Sequence, residues 1–90
     1  MTTDSNDLTA KVVRAIRKTA ERPPERIVGR TKFVEDLEFD SLRMATLSVA
    51  LEEELGELLL LNDWIADADD PHLLDVDSLV AYVRDALGEA

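Results

Sequence analysis

The stretch Leu-Glu-Phe-Asp-Ser-Leu-Arg-Met, residues 37–44, sets one serine directly after an aspartate in a chain with no cysteine and a single histidine. Ser41 therefore has three possible uses: helix cap, nucleophile, or attachment point. A serine hydrolase needs a base and an oxyanion site beside its nucleophile. The only histidine, His72, follows Pro71 on a polar turn, and no Gly-x-Ser-x-Gly elbow surrounds Ser41. His72 reads as an ordinary turn residue, and catalysis by the chain itself is not expected. Without cysteine there is no disulfide and no thiolate nucleophile or metal ligand. The acids Asp63, Asp67, Asp69, Asp70, Asp75 and Asp77 lack the Asp-x-Asp-x-Asp-Gly order with a distal glutamate that calcium loops use, so no metal site is expected.

What a helix N-terminus does supply is free backbone N–H groups and the positive end of the helix dipole, which together suit a phosphate. Ser41 stands at such a terminus, where the plain alternative is that Asp40 or Ser41 is only an N-cap. Residues 41–55, SLRMATLSVALEEEL, contain no glycine or proline and are rich in helix formers, which predicts a helix of about four turns. On a wheel, Leu42, Ala45 and Val49 form one apolar strip, and Met44, Leu47, Leu51 and Leu55 form another. That leaves Arg43, Thr46, Ala50, Glu53 and Glu54 as a narrow solvent stripe. A helix apolar on two sides is embedded between neighbours or flanked by a partner or ligand. Gly56 is placed to close it as a left-handed cap.

Before it, Leu8, Val12, Ala15, Ile16 and Ala20 recur at helical spacing with Lys11, Arg14, Arg17 and Lys18 on the other side. This predicts an amphipathic first helix, capped by Asn6 or Asp7 and halted near Arg22 by Pro23-Pro24. Residues 21–40 show no sustained period, and their apolar residues Ile27, Phe33, Val34 and Leu37 are expected to dock the loop. After Gly56, a short third helix is expected around residues 62–68. A last helix follows, capped by Asp75 or Asp77, with Leu79, Val80, Val83, Ala86 and Leu87 on one face and Gly88 at its end. A second Asp-Ser-Leu, residues 77–79, has only eleven residues after it and reads as a cap. Trp64 is either a core filler or the rim of a partner surface.

Ninety residues make one domain, residues 1–90, because a chain of this size buries only about 60% of the surface it exposes when unfolded. The net charge of −10 argues against nonspecific nucleic-acid binding, which relies on phosphate neutralisation. It divides into +4 over residues 1–32 and −14 over residues 33–90, so each part is either an ordinary solvated face or meets a surface of its own. The N-terminal residues lack the basic-then-apolar order of a signal peptide, and the longest apolar run, residues 58–61, is far too short to span a bilayer. The expectation is a cytoplasmic protein without membrane contact.

Residues 33–56, FVEDLEFDSLRMATLSVALEEELG, resemble the modification-site segment of acyl carrier proteins, in which an Asp-Ser-Leu triplet opens the second helix. The resemblance implies an all-α, four-helix acyl-carrier-like bundle with a long loop between helices 1 and 2 and a short helix 3. It makes Ser41 the residue that would bear 4′-phosphopantetheine from coenzyme A, with Asp40 and Leu42 as its motif context. The partners it implies are a phosphopantetheinyl transferase, a loading ligase or acyltransferase, and a downstream synthase or transferase, acting on a monomeric carrier that is not itself an enzyme. The thiol missing from the sequence would come from the cofactor, and an acyl group held on it would be sheltered by the second apolar strip with Leu59 or Leu61, unless those residues simply pack the core.

Two departures stand out. The family usually has glycine where this chain has Glu38, so either the backbone there has an ordinary negative φ or the loop is built differently. The exposed stripe of helix 2 is commonly acidic in fatty-acid carriers. Here Arg43 and Thr46 take its first two positions, with Glu53 and Glu54 at the far end. Those four are the candidate partner-recognition residues, and they point away from primary fatty-acid synthesis towards a discrete carrier in polyketide or related specialised, antibiotic-type biosynthesis. The alternatives are an aminoacyl or peptidyl carrier and an unmodified helical adaptor.

Overall fold

The computed structural model describes residues 5–57, 59 and 61–88. Its elements are α1 (Ser5–Thr19), α2 (Ser41–Leu55), α3 (Asn62–Asp67), a 3-10 turn (Pro71–Leu73) and α4 (Val76–Ala86). The expected order of four helices with a long first connection and a short third helix is present. Among the described residues the only β-type pairing is one isolated antiparallel bridge, Lys32 with Asp75.

In α1, Leu8, Val12, Ala15 and Ile16 are buried, while Arg14, Arg17 and Lys18 are exposed. The helix already begins at Ser5, so Asn6 and Asp7 lie within it and do not precede it as caps. It ends at Thr19 and not near Arg22. The guanidinium of Arg17 reaches forward to the carbonyls of Pro24 and Glu25, both at 3.0 Å, and fixes the turn that the two prolines impose.

The loop is docked as predicted. Phe33 and Leu37 are buried, Ile27 and Val34 are half-buried, and Phe39 joins the core. Phe33 N–H donates to the Leu74 carbonyl and Val76 N–H to the Thr31 carbonyl, both at 3.0 Å, which stitches the loop to the segment entering α4. Asp77 N–H donates to the Gly29 carbonyl at 2.9 Å, and a Cβ at Gly29 would run into the Asp77 carboxylate.

Helix α2 buries the second of its two apolar strips, with Ala50 from the stripe assigned to solvent, and leaves the first strip outside. Met44, Leu47, Ala50 and Leu51 are buried, whereas Leu42, Ala45 and Val49 are exposed. The reason is α1, which packs along the side of α2 that carries Ala50, Arg43 and Glu54. Ala50 is small enough for close approach. The two polar residues remain at the margins, where Arg43 donates to the Thr19 carbonyl and Glu54 pairs with Arg14 and Lys18. Of the stripe expected to face solvent, Arg43, Ala50 and Glu54 thus line an interhelical seam while Thr46 and Glu53 are exposed, and the first apolar strip is exposed with them.

Phe33 sits edge-on between Phe39 and Trp64, with ring centroids 5.6 and 5.3 Å away. Trp64 is a core residue, and its indole N–H donates to Ser78 Oγ at 2.9 Å. Leu59 and Leu61 are also buried in the core, while Leu58 and Leu60 of the same run lie outside the described residues. Asp75 caps α4 by accepting from Ser78 N–H at 2.9 Å. Asp77 lies in the first turn and is not a cap. The second Asp-Ser-Leu instead lends its serine to Trp64. Ala86, expected on the buried face of α4, is exposed. Gly56 and Gly88 have φ of 77° and 76° at the ends of α2 and α4, as the cap pattern required. No helix among the described residues is long and apolar enough to cross a membrane.

Candidate functional site

The N-terminus of α2 settles which residue of Asp40-Ser41 is the cap. Asp40 has extended backbone, with φ −112° and ψ −174°, and its carboxylate accepts from the Arg43 N–H at 2.8 Å. Its carbonyl accepts from Met44 N–H at 2.9 Å. Ser41 is the first residue inside the helix, so it is not the cap. Its side chain is exposed and enters no hydrogen bond among the described residues. The N–H groups of Ser41 and Leu42 are the first two of the helix, which no carbonyl of the preceding turn can reach. An uncommitted hydroxyl thus stands beside two free donors and the positive end of a 15-residue helix. That combination fits a phosphodiester on Ser41 Oγ.

Glu38 shapes the approach to this terminus. Its φ is +57°, the only positive value at a non-glycine among the described residues. The backbone therefore keeps the conformation that a glycine would favour, with glutamate bearing the steric cost, and the first of the two alternatives, an ordinary negative φ, does not hold. Phe39 follows with its N–H donating to the Phe33 carbonyl at 2.8 Å and its ring in the aromatic core. The buried ring on one side and the left-handed turn on the other deliver Asp40 and Ser41 to the surface.

Two clefts open beside Ser41, separated by Met44 and Ile65, which contribute to both. One, of about 250 Å³, lies between α2 and α3, with Ala45 and Ser48 facing Asn62 and Ala66 and with Leu61 at the base. The other, of about 190 Å³, runs towards the 3-10 turn past Val34, Phe39, Pro71 and Leu74. Leu59 lines neither of them.

The other residues singled out from sequence are placed as follows. Arg43 is turned away from Ser41, its guanidinium 2.9 Å from the Thr19 carbonyl and 4.0 Å from the Glu21 carboxylate. Glu54 is ion-paired at 3.0 Å to Arg14 and at 2.8 Å to Lys18, hydrogen bonds that hold its carboxyl below the usual range and raise the Lys18 ammonium above its own. Leu42, Thr46 and Glu53 are exposed. His72 is exposed on the 3-10 turn, where its backbone N–H donates to Asp70 at 3.0 Å, and its ring makes no hydrogen bond with Ser41. Arg14 and Lys18 were missed as partners of Glu54. Their spacing of four, on a helix facing a glutamate-rich one, was the available signal.

Residues 10–63, more than half of the chain, match the family model described as a phosphopantetheine attachment site. No curated protein and no solved structure gives a significant match. Domains of the matching family carry a 4′-phosphopantetheine group, are modified by phosphopantetheinyl transferases, work with synthase enzymes and are not themselves catalysts. The matched span runs from α1 through the first residues of α3 and so takes in the docked loop, the capped terminus of α2 and the cleft between α2 and α3. On that match the chain belongs to the phosphopantetheine attachment family, and it is a carrier protein whose cofactor is 4′-phosphopantetheine.

Proposed function

We propose that Ser41 is the attachment residue and that the chain is a discrete acyl carrier of a specialised pathway, polyketide or related. The observation that carries the first part is the division of labour at the α2 terminus: Asp40 does the capping, which leaves the Ser41 hydroxyl exposed and uncommitted. In the loading reaction Ser41 Oγ would form a bond to the β-phosphorus of coenzyme A as the bond to the adenosine bisphosphate leaving group breaks, with the hydroxyl proton passing to the transferase. When bound, the cofactor supplies a terminal thiol that holds an acyl group as a thioester. The residues of this chain do the holding. The N–H groups of Ser41 and Leu42 face the phosphate charge, and the two clefts beside Ser41 offer apolar floors of Met44, Leu61 and Ile65. Tethering raises the effective concentration of the cargo for each enzyme it visits.

The pathway assignment rests on α2, whose first turn carries no acid and whose outer face is uncharged from Leu42 to Val49. A partner that reads a continuous acidic stripe would lose its ionic contacts there, which favours a partner outside primary fatty-acid synthesis. The carrier is expected to be monomeric and cytoplasmic.

Intact mass before and after incubation with coenzyme A and a broad-specificity transferase tests the attachment residue. Wild type should gain one phosphopantetheinyl group and Ser41→Ala none. No gain by wild type, beside a control carrier that is modified, would favour an unmodified adaptor. Loaded mass from the native host then distinguishes an acyl from an aminoacyl cargo.

A further inference from the structure

A further cleft at the α2 terminus is polar where the other two are apolar. It encloses about 240 Å³ on the side where the chain leaves α1, and its walls are Glu21, Arg22, Leu37, Glu38, Asp40 and Arg43. Asp40 also lines one of the apolar clefts, so it divides the two, with Ser41 directly after it. Most of the charges in the polar cleft are already committed. The Asp40 carboxylate accepts from Arg43 N–H, and the Arg43 guanidinium is held by the Thr19 carbonyl and the Glu21 carboxylate. Arg22 and Glu38 are the exceptions: both are exposed and enter no hydrogen bond or ion pair among the described residues. Glu38 is also the residue held at φ +57°, which glycine would adopt without steric cost. Among the described residues its side chain joins no core and pairs with no cation, so the fold gives glutamate nothing in return. Backbone strain of that kind collects at ligand clamps and binding sites.

We propose that Arg22 and Glu38 form a polar seat, on the α1 side of Ser41, for the proximal half of the phosphopantetheine arm when it carries no cargo. The inference rests on Ser41 being the attachment residue. The arm begins with a phosphodiester, whose oxygens only accept hydrogen bonds, and continues with a hydroxyl and an amide, which also donate. A guanidinium supplies donors to the first and a carboxylate supplies acceptors to the second. The apolar clefts contain no cation to do the same. Sites that enclose a drug-sized ligand run to roughly 300–1,000 Å³. A cleft of about 240 Å³ therefore takes only part of the arm and leaves the thiol outside, within reach of partner enzymes.

The test compares the unloaded and phosphopantetheinylated forms of the isotopically labelled full chain by proton–nitrogen NMR. The arm is added from coenzyme A by a broad-specificity transferase, and its presence is established by intact mass. In wild type the Arg22 side-chain Nε–H and the Leu37 and Glu38 amides should shift on modification together with Ser41 and Leu42, while Ile65 and Ala66 in α3 should not. Arg22→Gln should suppress the shifts at Leu37 and Glu38 and move the phosphorus resonance of the phosphodiester, and Arg22→Lys should restore part of both, since an ammonium still offers a point charge to phosphate. Glu38→Gly, which suits the backbone there, should weaken the Leu37 shift without moving the phosphorus resonance. Both positions are exposed, and thermal melts establish that each variant is folded. Shifts confined to Ser41, Leu42 and α3, or shifts at Leu37 and Glu38 that persist in both Arg22→Gln and Glu38→Gly, overturn the seat and leave Ser41 as the attachment residue. No gain of mass by wild type, beside a control carrier that is modified, overturns the attachment reading and the seat with it.

Discussion

The guanidinium of Arg43 donates to the carbonyl of Thr19 at 2.9 Å, so the residue two places after Ser41 closes the end of α1 instead of projecting towards a partner. The contact joins the C-terminal end of one helix, where carbonyls lack intrahelical partners, to the N-terminal turn of the next. It gives the α2 terminus a fixed seat. Arg43→Ala should destabilise the protein by about 1–2 kcal/mol, the scale of a charge-assisted hydrogen bond at a half-exposed site. For a domain of this size that is a fall in Tm of several degrees. Arg43→Lys should recover part of the loss, since an ammonium can donate to one carbonyl without the planar fork. A Tm unchanged in Arg43→Ala would show that the contact contributes nothing.

Glu54 supports the same seam farther along, and its behaviour with pH has a definite sign. The hydrogen bonds from Lys18 and Arg14 lower its pKa, so its contribution is present above the ordinary glutamate range and is lost as pH falls through the depressed folded value. The Lys18 pKa is raised chiefly by its hydrogen bond to Glu54, so that contribution is complete below the ordinary lysine value and is lost as pH rises through the folded one. Glu54→Gln should therefore melt below wild type at neutral pH, with the two curves converging in acid below the glutamate range and only drawing closer at strongly alkaline pH, where Lys18 loses its charge and Arg14 keeps its own. Because Arg14 and Lys18 are half-exposed or more, added salt should also narrow the neutral-pH gap. Parallel melting curves across the acid limb would rule out the pairing.

Much of this was readable in the residue order, and the failures have physical causes. The caps at Asp40, Gly56 and Asp75 follow from local chemistry, because short polar side chains and glycine act on backbone within three residues of themselves. The Met44, Leu47 and Leu51 strip that α2 buries also followed from the pattern, but Ala50 beside it did not. A wheel ranks side chains by polarity, but Ala50 could be buried only because α1 lies across it, and Arg43 and Glu54 could flank that seam only because Thr19, Arg14 and Lys18 were waiting there. Similarly, Glu38 hides a left-handed turn, since only the fold reveals that glutamate occupies a glycine conformation. The aromatic core was half visible: Phe33 and Trp64 were candidates, while the pairing of Trp64 with Ser78 joins residues that are distant in the pattern of either helix.

The left-handed Glu38 offers a direct measurement. Its φ of +57° costs about 1 kcal/mol for a residue with a Cβ, offset in part because glycine would make the unfolded chain more flexible. Glu38→Gly should be neutral to stabilising, by up to about 1 kcal/mol in urea unfolding. Glu38→Val should lose about 1–2 kcal/mol, since β-branching worsens the same clash. If both variants unfold at the wild-type midpoint, the turn is not strained.

Trp64 should separate packing from hydrogen bonding. Trp64→Phe retains the edge contact with Phe33 but leaves Ser78 Oγ without its donor, at a cost of about 1–2 kcal/mol including the smaller ring. Trp64→Ala empties the junction of α3 with the aromatic cluster and should cost about 3–5 kcal/mol, a large share of the stability available to a domain of this length. Circular dichroism with denaturant reads both. A loss in the alanine variant no greater than in the phenylalanine variant would mean that Trp64 is not a core residue.

The outer face of α2 gives the discriminating test of pathway. Arg43→Glu appears at first to restore an acidic stripe, but it would also remove the Thr19 contact and set a carboxylate near Glu21, so binding and folding would change together. Thr46 is the better position. It is exposed, and its hydroxyl bonds only to the Leu42 carbonyl of its own helix at 3.1 Å, a bond that the helix does not need. Thr46→Glu adds one negative charge on the outer face while leaving the α1 seam intact, and glutamate is the better helix former. With Ser41 loaded, this variant should accept acyl groups from a fatty-acid synthase acyltransferase about 3- to 10-fold more efficiently in kcat/KM than wild type, through KM and with the gain shrinking in salt. Thr46→Gln, similar in size and uncharged, should not gain. An equal gain in Thr46→Gln would assign the effect to helix propensity, and no gain in either would remove the uncharged face of α2 as the reason for placing this carrier outside fatty-acid synthesis.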